Sequence, residues 1–180
     1  MDIIETEFNE VKIICSKKII DRRGLYNINY SHKILLNNNI EFVLKEERIY
    51  NIKKNAFYGL HFQNNPYIQN KLIYLINGKG IDYIVDLRKK SKTYKKWIKI
   101  ELDSKNNQMI YVPHGFGHGF LSMTENTIMS FKIDQYFENN YSKSIKYNDP
   151  ELNMKIILDE KLLSDQDKNA PYLINSDCNL

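Results

Sequence analysis

The chain reads as an all-β protein, a sandwich or barrel. Three observations carry this. Short strand-like runs recur through its middle at regular spacing, turn signals separate them, and the only helix-like stretches are brief and sit toward the ends.

Taken in order, Ser31-His32-Lys33-Ile34-Leu35-Leu36 is a brief helix with Ser31 as its cap. Residues 71–76 run into Asn77-Gly78-Lys79-Gly80, and residues 81–88 follow. Asn-Gly between two such runs is a strong hairpin signal, so these two strands are expected to pair. In the second run Ile81, Tyr83, Val85 and Leu87 share one face while Asp82, Asp86 and Arg88 share the other, the pattern of a strand with one buried side. Further strands are expected over 96–102, with Trp97 in the core, and over 108–112, 119–123 and 127–134. Between them lie Asp103-Ser104-Lys105-Asn106-Asn107, Pro113-His114-Gly115 and Thr124-Glu125-Asn126. Ser164 caps a second short helix before Pro171. No Gly/Ser/Pro tract divides the chain, so residues 1–180 are read as one domain.

The bulk numbers narrow the function classes. With 180 residues, 42% hydrophobic and 27% charged, the chain can bury a sizeable core and is not disordered. No apolar run is long enough to span a bilayer, and the start Met1-Asp2-Ile3-Ile4-Glu5 lacks the basic opening of a signal peptide. Cys15 and Cys178 form neither a disulfide framework nor a zinc spacing, which points to a reducing cytoplasm. A net charge of +4 favours an anionic ligand but does not argue for nucleic acid. The lysines at 89, 90, 92, 95 and 96 read as a solvated turn.

Two segments carry the chemistry: Tyr58-Gly59-Leu60-His61-Phe62-Gln63 and Pro113-His114-Gly115-Phe116-Gly117-His118-Gly119-Phe120. Each sets a histidine on a strand beside glycines, which permit close approach of backbone and ligand. Two histidines brought into one cavity suit acid–base chemistry or a metal site. Without a carboxylate at ligand spacing they make a poor zinc or iron site, so no metal is expected. His114 and His32 have the settings of surface residues.

Gly59-Leu60-His61-Phe62-Gln63, Gln69-Asn70-Lys71-Leu72-Ile73, Val85-Asp86-Leu87-Arg88 with Ser91, Thr93 and Trp97, and the 111–120 segment together resemble the dTDP-4-dehydrorhamnose 3,5-epimerase family. Asp21-Arg22-Arg23-Gly24, Asn148-Asp149-Pro150 and Leu163-Ser164-Asp165-Gln166-Asp167 extend the likeness across residues 20–170. The resemblance implies a cupin jelly roll (a double-stranded β-helix) that forms a homodimer with exchanged N-terminal strands. It implies no metal and no organic cofactor. The implied substrate is a nucleotide-diphosphate 4-keto sugar, inverted at C3, C5 or both. His61 matches the family's base, Asp167 the carboxylate that orients it, Lys71 the cation at the ketone oxygen, and His118 a second histidine of the site. Arg23 matches an arginine suited to diphosphate, and Gln63 ends the Gly59–Gln63 segment that holds His61.

The chain also departs from that pattern. Thirteen residues beyond His118, where the family has an acid tyrosine, stands Phe131, which has no proton to give. Tyr58 stands where the family has arginine, Glu46-Glu47-Arg48-Ile49-Tyr50 where it has Gln and Asn, Ile28 where it has an acidic residue, and Gln166 where it has a basic one. Tyr58, Tyr136 and Tyr141 are candidate replacement acids, although strict alternation turns Tyr58 away from His61 unless a bulge intervenes. Arg23, Tyr58, Gln63, Phe131 and Tyr136 are therefore taken as substrate-binding positions. The base, dTDP or GDP, and the sugar, hexose or heptose, stay open. So do a 3,4-ketoisomerase and a non-catalytic sugar-binding protein as alternatives.

Overall fold

The alternating runs form thirteen strands in a computed structural model that describes residues 1–180. Toward the N-terminus come β1 (Asp2–Glu5), β2 (Lys12–Cys15), β3 (Ile19–Asp21), β4 (Gly24–Tyr26) and helix α1 (His32–Leu36). The body consists of β5 (Glu46–Ile52), β6 (Phe57–Gln63), β7 (Lys71–Asn77), β8 (Lys79–Asp86), β9 (Trp97–Asp103), β10 (Gln108–Val112), β11 (Phe116–Ser122), β12 (Thr127–Ile133) and β13 (Ser142–Ser144). Helix α2 (Asp165–Lys168) lies in the C-terminal segment. Both helices have the serine caps expected: the Ile34 amide donates to Ser31 Oγ, and the Asp167 amide to Ser164 Oγ at 3.1 Å.

Two antiparallel sheets build the jelly roll. One has the order β1-β2-β10-β7-β12-β5 and the other β13-β6-β11-β8-β9. Ile73, Leu75 and Ile110 of the first meet Ile84, Phe116 and Phe120 of the second in the core between them. The outer face of the six-stranded sheet is covered by Leu35 and Phe42, which pack on Ile14, Leu72 and Tyr74. The C-terminal segment covers the other sheet, setting Leu152, Leu163 and Leu173 against Leu60, Val85 and Leu87.

This three-layer burial overturns two expectations. The strands flanking Asn77-Gly78 do not pair: β7 bonds to β10 and β12, β8 to β11 and β9. Gly78 does take the left-handed conformation such turns use (φ +90°), but here it carries the chain from one sheet to the other. Nor is β8 buried on one side only. Asp82 and Asp86 are as inaccessible as Val85, because one face of β8 meets the interior and the other meets the C-terminal segment. From β5 to β8 each successive strand changes sheet, and only β8 and β9 are sequence neighbours paired within this body.

The β3–β4 hairpin stands apart as a two-stranded arm with Ile20, Leu25 and Tyr26 exposed. Cys15 and Cys178 are free thiols. No helix is long and apolar enough to cross a membrane.

Candidate active site

Strands β6 and β11 lie side by side in the five-stranded sheet, and His61 sits directly opposite His118. The ladder then slips: Phe120 faces Tyr58, so three steps along β6 match two along β11. This is a β-bulge, and glycines make room for it. Gly59 has φ +147°, and a Cβ there would fall 2.4 Å from Gly119 Cα and 2.9 Å from the His118 carbonyl oxygen. The extra residue reverses the side-chain parity of β6. Tyr58 and His61 therefore open onto the same cavity, contrary to what simple alternation predicts.

His61 is partly exposed to that cavity, and its Nε2 lies 2.6 Å from Oδ1 of the buried Asp167. The α2 cap fixes the backbone of Asp167. Ser144 Oγ donates to the same oxygen at 3.4 Å and accepts from Gln166 Nε2 at 2.8 Å. Lys71 reaches across from β7, where Nζ donates to the His61 carbonyl oxygen at 2.9 Å. Burial pushes its ammonium down to about 8, with the nearby Asp82 charge opposing.

His118 has its own carboxylate. Its Nε2 lies 2.8 Å from Asp82 Oδ2, both side chains being fully enclosed. Burial raises Asp82 and lowers His118, while each partner opposes the shift in the other. Asp82 Oδ1 is buried without a hydrogen-bond partner, so its compensation is electrostatic, from His118 and Lys71. Sequence reasoning assigned Asp82 to an exposed face and missed it. The available signal was a lone carboxylate inside an otherwise apolar run.

The facing wall comes from β5 and β12. Arg48 and Tyr50 project inward from β5, beside Phe131 and Met129 of β12. The Tyr50 ring is 5.5 Å from Tyr58 and 6.2 Å from Phe131, and Phe131 is 5.6 Å from His118. Arg48 donates to Glu46 at 2.6 Å and lies 4.4 Å over the Phe137 ring. Burial pulls its guanidinium down, and Glu46 and the Tyr50 hydroxyl more than offset that. Arg48 and Tyr50 were named in the sequence only as part of a departing stretch. The alternation Glu46, Arg48, Tyr50, Ile52 against Glu47, Ile49, Asn51 was the signal for their direction.

The remaining expected site residues divide. Gln63 lines the cavity, but its amide is committed to holding loops: it donates to Tyr67 O at 2.6 Å and accepts from the Glu138 amide at 2.7 Å. Tyr136 does not line the cavity. Its ring is exposed, and its carbonyl oxygen accepts from Gln63. Tyr141 packs its ring at a tilt against Tyr67, centroids 4.7 Å apart, and is also outside the lining. Both stand beyond the end of β12, where the chain turns out of the barrel. Arg23 is not part of its own chain's cavity lining; it sits at the tip of the β3–β4 arm, paired with Asp21 at 2.7 Å. No three His, Cys, Asp or Glu side chains converge as ligands for a metal.

Comparison with known proteins places the chain and its fold in a family. The family model described as dTDP-4-dehydrorhamnose 3,5-epimerase matches residues 5–175. The dTDP-4-dehydrorhamnose 3,5-epimerase of Shigella flexneri is 29% identical over 180 residues, covering 98% of each chain. A dTDP-6-deoxy-D-glucose-3,5-epimerase from Legionella pneumophila, solved in complex with dTDP-4-keto-L-rhamnose, superposes with a TM-score of 0.91 at 29% identity, over 98% of this chain and 94% of that one. The dTDP-4-dehydrorhamnose 3,5-epimerase of Bacillus anthracis, with TDP and PPi bound, gives a TM-score of 0.90 at 33% identity, over 95% and 98%. Sequence and fold thus agree almost end to end, and the chain belongs to the dTDP-4-dehydrorhamnose 3,5-epimerase family, isomerases with the cupin jelly-roll fold.

Proposed function

We propose that this protein epimerises C3, C5 or both of a dTDP-linked 4-keto-6-deoxy sugar, with residues 1–180 acting as one domain. A hydrogen on carbon next to a ketone is weakly acidic, and its removal needs a base in contact and a charge to hold the enolate oxygen. The His61 Nε2–H donates to Asp167, which leaves Nδ1, without a protein partner, as the base. Asp167 fixes that tautomer and faces the positive charge the ring acquires. Lys71 supplies the cation at the ketone oxygen, where low dielectric strengthens it. His118, backed by Asp82, lies beside His61 and suits a hydrogen bond to the sugar or the enolate. Arg48 stands at the cavity in place of the cation that Tyr58 lacks and suits the diphosphate. The observation that carries the reading is the His61–Asp167 contact with Lys71 bonded to the His61 carbonyl, inside one cavity.

The exposed apolar arm supports the finer part of the proposal. In a homodimer with exchanged N-terminal strands, Ile20, Leu25 and Tyr26 are covered by a second copy, and Arg23 at the arm's tip reaches the neighbouring cavity. The cytoplasm is the proposed location, where two free thiols are stable. The reading calls for no cofactor.

Incubation with dTDP-4-dehydro-6-deoxyglucose in D₂O tests it. Deuterium enters C3, C5 or both with inversion, and His61→Asn abolishes the uptake while still binding the nucleotide sugar. No uptake by the parent protein with sugar bound defeats the reading. A product whose carbonyl has moved to C3 would mark a ketoisomerase instead.

A further inference from the structure

Inversion at carbon requires the new proton to arrive from the face opposite the one that lost the old proton. Under the epimerase reading above, on which this inference rests, His61 works from the five-stranded sheet, so the donor must stand on the six-stranded wall. The cavity lining permits an elimination. On that wall are Lys71, Arg48, Tyr50, Met129 and Phe131. Met129 and Phe131 have no exchangeable proton, a guanidinium does not give its proton up, and Lys71 is bonded to the His61 carbonyl beside the ketone site. Tyr58, His118 and Ser142 belong to strands of the His61 sheet. Only Tyr50 has both a transferable proton and the right wall.

We propose that the Tyr50 hydroxyl is the acid that protonates the sugar on the face opposite His61, in a position where its immediate neighbour Phe131 cannot serve. The surroundings of Tyr50 suit the role. Its ring is held edge-on between Tyr58 and Phe131, which limits its swing, and β5 carries it inward at a register position directly opposite Met129. Arg48 lines the same cavity two residues before Tyr50 on the inward face of β5, so a fixed positive charge stands on the wall that bears the oxygen left charged after donation.

The step balances. His61 takes the proton as the C–H bond breaks, and the electron pair moves into the enolate, whose oxygen Lys71 holds. That pair then forms a C–H bond to the Tyr50 proton on the other face, and the ketone re-forms. The enzyme is left with a protonated His61 and an ionised Tyr50, and solvent resets both after product leaves.

The test is Tyr50→Phe with dTDP-4-dehydro-6-deoxyglucose in D₂O, following deuterium and configuration separately by NMR. Inversion should fall about 10²–10⁴-fold, the usual worth of a positioned acid. Exchange with retained configuration should persist, because His61 can return a deuteron to its own face. Phe131→Tyr in the Tyr50→Phe background should regain inversion by restoring a phenol to the same wall. That rescue, with an unchanged thermal midpoint and dTDP affinity, separates lost chemistry from lost structure. Inversion by Tyr50→Phe at the parent rate overturns the proposal, as does loss of exchange along with inversion. So does retention-only exchange in Tyr58→Phe instead. Parent protein that exchanges no hydrogen at all defeats the underlying epimerase reading, and this assignment with it, through a different readout.

Discussion

Under the proposed reaction, Lys71 ties stability and activity together with opposite demands. Enclosure pushes its ammonium from 10.5 down to about 8, which corresponds to about 3 kcal/mol against the fold while the charge is kept. The sign follows from linkage. Below pH 8 both folded and unfolded chains carry the proton, and the fold bears the full cost. Between about 8 and 10.5 the folded chain releases it first, so stability rises with pH, and about 2 kcal/mol of the cost has gone by pH 9.5. Lys71→Met removes this group and leaves the other titrating side chains in both proteins. Urea unfolding of parent and variant from pH 7 to 9.5 should therefore show the parent gaining about 2 kcal/mol relative to the variant. Catalysis should run the other way. Once Lys71 loses its charge, the enolate oxygen has no cation, so the parent's kcat/KM should fall about tenfold per pH unit above 8. Lys71→Met should lose about 10²–10³-fold at pH 7. A stability difference that does not move with pH, or a kcat/KM that holds level to pH 9.5, refutes the reasoning.

Two further outcomes are expected. Asp167→Asn keeps the shape beside His61 but removes the charge that selects its tautomer, so kcat should drop about 10²–10⁴-fold with little change in KM, read by steady-state kinetics. Gly119→Ala puts a Cβ 2.6 Å from Phe57 Cζ and 3.1 Å from Leu60 Cδ2, both enclosed, and should cost about 1–3 kcal/mol in urea unfolding.

The site was more legible than the path of the chain around it. His61, Lys71, His118 and Asp167 stand in short motif segments of the sequence, and in the structure Asp167 meets His61, Lys71 bonds the His61 carbonyl and His118 pairs opposite His61. Tyr58 reaches the cavity, as expected of a substrate-binding position, but only through the bulge on which its direction depended: side-chain parity counts residues, and the extra one has no local signature beyond Gly59. Asp82 was lost because a polar residue alternating with apolar ones normally marks solvent, whereas in β8 both faces are covered and the carboxylate meets an imidazole instead. The Asn77-Gly78 hairpin was lost for a related reason: turn chemistry is local, but which sheet a strand joins depends on what must be covered on both its faces. Ile49 and Ile76, both exposed, show the converse, apolar side chains whose facing no composition rule fixes.

The sheet-changing course of β5 to β8 bears on how the molecule reaches its native form. Most strand partners here are distant along the chain, as β12 is from β5 and β11 from β6, so little of the barrel can be assembled from adjacent segments. Chains with such a weave reach their final state in milliseconds to seconds rather than microseconds, because long loops must close before their contacts repay the lost freedom. The residues bracketing the cavity around His61 span 48 to 167, so that cavity is completed only when both ends of the barrel have come together. Refolding followed by nucleotide-sugar binding should accordingly lag behind refolding followed by far-ultraviolet circular dichroism.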